Sequence, residues 1–294
     1  MSLLSSTQGT PERVWSLLRL LAAHEGTLGR EDITGWLSPP FVQGKSRREI
    51  TGEPDGQAIG AATSLGFVKR EALSYSLSSS AAANYPEFAD QVHAHLRTID
   101  KDDPDYVVLE TFAWVVAEIE NRQSTAWVGS SPQEFADAVE HAIGADDSSG
   151  ERRFNSTKIA PWRRWILFLG LGSDFPTSIG FYPYVADRLA RELFASNLPR
   201  EVELPAADVL AEISQKMPYL DDGVLFVQMA TRANVRLPDR RLSRLLSAAL
   251  RDLNDDGLIS LLLTGDASDL FALAPDGQHP IQTLQTIKLR ELPQ

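Results

Sequence analysis

Apolar residues recur at helical spacing through most of this chain. Between Pro11 and His24, Val14, Leu17, Leu18, Leu20 and Leu21 form one stripe near the 3.6-residue period, with Thr10 and Pro11 placed as N-cap and first helical residue. Gly26 stops that helix. Arg30–Leu37 reads as a second helix with Ile33, Trp36 and Leu37 turned inward, ended by Pro39-Pro40, and a third runs from about Pro54 to Leu65. Further helices are predicted over Tyr85–Ile99, Tyr106–Arg122, Pro132–Ile143, Trp162–Gly170, Pro183–Asn197, Pro205–Lys216 and Gly223–Thr231. The last long helix covers Asp239–Leu253, with Leu242, Leu245, Leu246, Ala249, Leu250 and Leu253 on its core face.

One arrangement occurs near both ends. After the third helix, Gly66 sits where a positive φ is wanted, then Phe67-Val68 and Tyr75-Leu77 read as two short strands around Lys69-Arg70-Glu71. After the last helix, Gly257 is followed by Leu258–Leu263 and then Leu270–Leu273. Helix, glycine stop and hairpin in that order predict a winged helix, a fold that contacts DNA or docks proteins far more often than it houses an active site. A strand over Ile287–Leu289 is expected in the tail. The resulting architecture is mainly α, with an N-terminal winged helix over residues 1–80, a helical middle over 84–198 and a C-terminal winged-helix-like domain over 199–294. The length of 294 residues fits such a division.

Charge sharpens the picture. The net charge of −12 is concentrated in residues 100–150, which carry a net −10, while residues 1–99 carry −1, 151–197 carry +3 and 198–294 carry −4. DNA affinity depends on local neutralisation of phosphates, so the overall acidity does not exclude it. With no cysteine, the chain has no disulfides, thiolate metal sites or thiol nucleophiles, as suits a cytoplasmic protein. No secretory leader is visible, and the apolar runs are too short to span a bilayer.

The strongest DNA-contact candidates lie on the last helix. Arg240, Arg244 and Arg251 are spaced by four and seven residues and would share one face, with Arg236 and Arg241 flanking its start. The alternative is a solvated face paired with Asp239 or Asp252, and Asp255, Asp256, Asp266 and Asp269 crowd the adjoining wing. The N-terminal third helix is neutral from Gln57 to Leu65, but Arg47 and Arg48 precede it and Lys69 and Arg70 follow it, a layout that would clamp phosphates without reading sequence. A basic-aromatic run of Arg152, Arg153, Phe154, Lys158, Trp162, Arg163, Arg164 and Trp165 could stack single strands, or simply be core flanked by charge.

Signals for catalysis are poor. Gly170-Leu171-Gly172-Ser173-Asp174-Phe175 lacks the third glycine of a dinucleotide fingerprint, there is no phosphate-loop lysine motif, and His93 and His95 would diverge on a helix. The chain is expected to be no enzyme and to carry no cofactor or metal.

Trp165-Ile166-Leu167-Phe168-Leu169-Gly170-Leu171-Gly172, followed by Pro183 leading into a helix, resembles the middle of DpdG-type proteins. These are accessory proteins of bacterial clusters that install 7-deazaguanine bases in DNA and restrict unmodified DNA. The resemblance implies a subunit acting beside ATPases and helicases in anti-phage defence, and it transfers no catalytic residue. The leading expectation is a non-catalytic subunit that binds or recruits double-stranded DNA. A scaffold whose winged helices dock partner subunits, and a transcription regulator, stand as alternatives.

Overall fold

The computed structural model describes residues 2–37, 54–78, 80–129, 131–144, 152–175, 180–263 and 269–291. Among them are eleven α-helices and four small antiparallel sheets. None of these helices is long and apolar enough to cross a membrane. The chain divides into two compact units, Met1–Val108 with Asn155–Leu169 and Leu109–Phe154 with Gly170–Gln294. The stretch 84–198, expected as a domain of its own, is therefore shared between the two.

In the first unit the order is α1 (Pro11–Ala23), β1 (Thr27–Gly29), α2 (Arg30–Leu37), α3 (Pro54–Ser64), β2 (Val68–Glu71) and β3 (Ser74–Leu77). The last strand lies in the middle of a β1-β3-β2 sheet. Val14, Leu17, Leu18 and Leu21 of α1, Ile33 of α2, Ala58, Ile59, Ala61 and Ala62 of α3, and Val68 and Tyr75 of the sheet are all buried. The small residues of α3 let it approach α1 closely. Two more helices complete the unit, α4 (Tyr85–Leu96) and, after the chain returns, α7 (Ile159–Phe168). Phe168 meets Tyr85 and Phe88 with ring centroids 4.9 and 5.0 Å apart, and Trp15 stacks on Phe88 at 5.5 Å. Buried Asp105 ties the unit together, accepting from the Leu3 amide at 2.7 Å and the Ser64 hydroxyl at 2.5 Å.

The division falls within α5 (Val107–Arg122). The second unit then holds α6 (Pro132–Ile143), a hairpin of β4 (Gly172–Phe175) and β5 (Gly180–Pro183), α8 (Ala186–Ala195), β6 (Glu203–Pro205), α9 (Ala206–Lys216), α10 (Val224–Arg232), α11 (Arg244–Asp255) and β7 (Ile259–Leu262). It ends with β8 (Phe271–Ala272), β9 (Thr283–Leu284) and β10 (Thr286–Leu289). The glycine-rich stretch from Gly170, read as a helix breaker, leads straight into β4.

The C-terminal hairpin differs from expectation. Leu258–Leu263 does not pair with Leu270–Leu273; β7 pairs with β10, Ile259 opposite Leu289 and Leu262 opposite Thr286. The reason lies in alternation. Ile259 and Leu261 on β7, and Ile287 and Leu289 on β10, are buried at every second position, so both strands present an apolar face to the same core. β8 and β9 instead form a separate two-residue ribbon.

With that register, the second unit repeats the first. α8, β6, α9, α11, β7 and β10 follow the order of α1, β1, α2, α3, β2 and β3, and the sheet order β6-β10-β7 matches β1-β3-β2. Matching hydrogen bonds recur. The first helical residue after the edge strand donates to the residue just before the central strand, Arg30 to the Leu73 carbonyl (3.4 Å) and Ala206 to that of Gln285 (2.8 Å). Gly66 and Gly257 both have φ +72. After each, Phe67 and Leu258 donate to the carbonyls of Ala62 and Leu253, closing the same helix stop. The second copy carries two additions, α10 between its second and third helices and residues 263–285 in place of the Ala72-Leu73 turn.

A Cβ at Gly66 would meet only the edge of the His95 ring at 4.0 Å, and at Gly257 nothing within 4 Å, so a side chain there costs backbone conformation and not space. Gly66→Ala and Gly257→Ala should each lower the stability of their own unit by about 1–2 kcal/mol. Urea unfolding followed by unit-specific hydrogen exchange would measure it, and a neutral result at either position would show that its φ is not required.

Candidate nucleic-acid interface

Lys69 and Arg70 do not lie between the strands but on β2 itself, opposite Ser76 and Tyr75 of β3. Successive residues on a strand face opposite ways, so the two cations straddle the ribbon. Both are exposed. Glu71 shares the Lys69 face and accepts from the Ser76 hydroxyl at 2.8 Å. At the turn, Leu73 is 87% exposed. Neighbouring α3 offers little to a base edge. The Gln57 side chain accepts from Ser6 (2.6 Å) and from the Gln8 amide (2.9 Å), and Ser64 is held by Asp105. Arg47 and Arg48 lie outside the described residues.

The last helix corrects the expected arginine row. It begins at Arg244, not Asp239. Residues 240–242 are held off the helix because Ala272 donates to the Arg240 carbonyl (2.8 Å) and Leu242 donates to the Ala272 carbonyl (2.9 Å). Arg240 takes φ +55, and its guanidinium pairs with Asp269 at 2.7 Å. Arg241 bridges Ala272, and Arg236 is exposed in the preceding segment. Arg240, Arg241 and Arg236 are thus off the helix, and of the expected row only Arg244 and Arg251 lie on it.

Arg251 is on the helix but is only 5% exposed. Its Nη2 donates to the carbonyls of Ala274 and Ile281, both at 3.0 Å, and its Nε to Ile281 at 3.1 Å. It braces the 263–285 addition from within. Six further α11 side chains, Leu245, Leu246, Ser247, Ala249, Leu250 and Leu253, are buried as well. The amino end of α11 is closed too. Ser243 caps it through the Leu246 amide, Asp221 accepts from the Ser243 amide (3.1 Å) and hydroxyl (2.8 Å), and Glu120 accepts from the Arg244 amide. Burial pushes the Asp221 carboxyl up to about 7 and raises that of Glu120.

The basic-aromatic run is core and ion pairs. Trp162, Trp165 and Phe154 are fully buried, and the Trp162 indole donates to the Val108 carbonyl at 3.1 Å. Arg152 pairs with Asp137 (2.6 Å), Arg153 with buried Glu110 (2.8 Å) and Arg164 with Glu12 (3.2 Å). These aromatic rings offer no face for a base to stack on. None of the three ion pairs has a local signature, since each carboxylate lies on a different element from its arginine.

Among the described residues, no group of three or more His, Asp or Glu side chains could hold a metal ion. A half-open cleft of about 430 Å³ in the second unit is lined by Trp114, Glu118, Arg122, His141 and Arg232. Arg122 pairs with Glu118 at 2.7 Å, and Arg232 donates to the Ala142 carbonyl at 2.8 Å, closing the end of α6.

The geometry defines a mainly helical protein with a twice-used helix-and-sheet module, whose basic side chains are mostly answered by its own carboxylates and carbonyls. The DpdG-like family model matches residues 1–267, and the chain belongs to the DpdG-like family. That membership associates it with the Dpd modification and defence system. No curated protein and no solved structure matches the chain.

Replacing Arg251 with Met keeps much of the stem but takes the guanidinium donor away from the buried Ala274 carbonyl and the part-buried Ile281 carbonyl. Arg251→Met should destabilise the second unit by about 2–4 kcal/mol and expose residues 271–284 to hydrogen exchange. Arg251→Lys should recover little, since one ammonium cannot span both carbonyls with a fork geometry. Full stability in either variant would place the bracing elsewhere.

Proposed function

We propose that the chain is a non-catalytic recruiting subunit of the Dpd system, built on two winged helices, which touches duplex DNA through its N-terminal wing. The order helix, strand, helix, helix, strand, strand, with the last strand central, supports the winged-helix reading of each copy. A single contrast carries the DNA assignment. Lys69 and Arg70 are exposed on opposite sides of a short ribbon, whereas α11 has Arg251 turned inward and its amino end capped by carboxylates. A ribbon with a cation on each side suits a groove walled by two phosphate rows. Phosphate pairing of this kind positions a protein without reading sequence. In this reading Arg236, Arg240, Arg241 and Arg244 are secondary, and the C-terminal copy faces partner subunits such as an ATPase or helicase.

A second reading, a protein-docking scaffold, is favoured by Trp36 at 66% and Leu73 at 87% exposure in the first unit. Exposed large apolar side chains fit a protein surface better than a phosphate backbone.

Fluorescence anisotropy with a labelled duplex separates the two. Lys69→Ala with Arg70→Ala should weaken binding and flatten the salt dependence by about 0.9 in log K per log salt for each phosphate that is no longer neutralised, while Arg244→Ala should change neither. Unchanged affinity in the wing variant would reject DNA binding through the wing. Loss of co-purifying subunits in Trp36→Ala or Leu73→Ala, with DNA affinity intact, would favour the scaffold.

A further inference from the structure

We propose that Asp221 and Glu120 form a proton-operated clasp on the amino end of α11, closed while the pair retains a proton and loosened when both carboxyls are ionised. Two carboxylates from different elements converge there. Glu120 comes from the last turn of α5 and takes the Arg244 amide, and Asp221 comes from the 217–223 loop and takes the Ser243 amide and hydroxyl. Asp221 is buried; burial, the larger effect, favours its neutral form, while the hydrogen bonds it accepts from the Ser243 amide and hydroxyl favour the ionised one.

The charges around the pair are unevenly placed. The two that act on Asp221 are both negative, Glu120 from α5 and Asp222 on its own loop. The cations Arg241 and Arg244, on the segment entering α11, act on Glu120. Glu120 is thereby the better placed of the two to hold a charge, and Asp221 the better placed to keep a proton. The positive end of the helix favours a carboxylate, but burial and two like charges oppose it. The Glu120 charge acts on Asp221 in the same direction as burial and helps to keep its proton on. Burial pushes Asp221 up to about 7, so the proton leaves across the neutral range.

Asp221 holds its proton more tightly folded than unfolded, so its contribution to stability is complete below its ordinary range near pH 4. It is lost progressively as pH rises to about 7. Local opening of the α11 amino turn, which lets water reach Asp221, gains in the same direction.

Hydrogen exchange of the full chain, corrected for intrinsic rates, tests the clasp. The opening equilibrium at residues 243–248 should rise by up to about tenfold per pH unit between about pH 5 and 7, then level off. Asp221→Asn, which can still accept from Ser243, should remove that dependence. A slope unchanged in the variant, or none in the parent chain, would overturn the proposal. Carboxyl-carbon NMR of the parent chain gives an independent arm that needs no folded variant. A midpoint for Asp221 above about pH 6 supports the clasp and one near 4 rejects it. Glu120→Gln should move that midpoint down by removing one of the two negative neighbours.

Discussion

Enclosure of α11 is the constraint on which the second unit depends. Seven of its twelve side chains are buried, and the polar groups on those sides must be answered from within the protein, because water does not reach them. Each demand is met by a different stretch of chain. Asp221 and Glu120 satisfy the amino end, the turn after Gly257 closes the carboxyl end, and the Arg251 guanidinium, a group that ordinarily seeks water, becomes an internal brace. Apart from Glu120 of α5, the two additions to the C-terminal copy supply these partners. Residues 217–243 bring Asp221 and the Ser243 cap, and residues 263–285 bring the carbonyls that Arg251 holds.

The two copies thus share a framework and diverge in what they leave open. In the first, the central strand follows β2 after the two residues Ala72-Leu73, and the ribbon stays bare with Lys69 and Arg70 in solvent. In the second, the same position is filled by a long excursion with its own small ribbon. A module used twice with different loops can keep one fold while presenting unrelated surfaces.

Much of the helical content is legible in the sequence because it rests on local signals. Arg30–Leu37 and Pro132–Ile143 fall where their stripes and flanking prolines place them, and Gly66 and Gly257 mark real stops. The long-range pairings are not legible. Leu258–Leu263 reads as the partner of the nearest apolar run, but its true partner lies beyond the 263–285 excursion, and nothing local records that. Arg251 reads as a solvent residue by type, and its acceptors are backbone carbonyls 23 and 30 positions away, which carry no sequence signature. The small Ser247 one turn earlier, itself fully buried, is the one hint that this face is covered. The interleaved units are equally hidden. Trp162 and Trp165 belong with Val108 and Phe168 across an intervening stretch that folds with the second unit.

The 263–285 excursion also bears on how the two sheets come into being. β2 and β3 meet across a two-residue turn and can pair as soon as both are extended, a local event. β7 and β10 must first bring together the ends of a much longer segment, and the entropic cost of closing a loop grows with the logarithm of its length. The short β8–β9 ribbon shortens the effective loop, and Arg251 pins it to α11. The two copies of the module, alike in outline, therefore differ in the length of chain that each sheet must close.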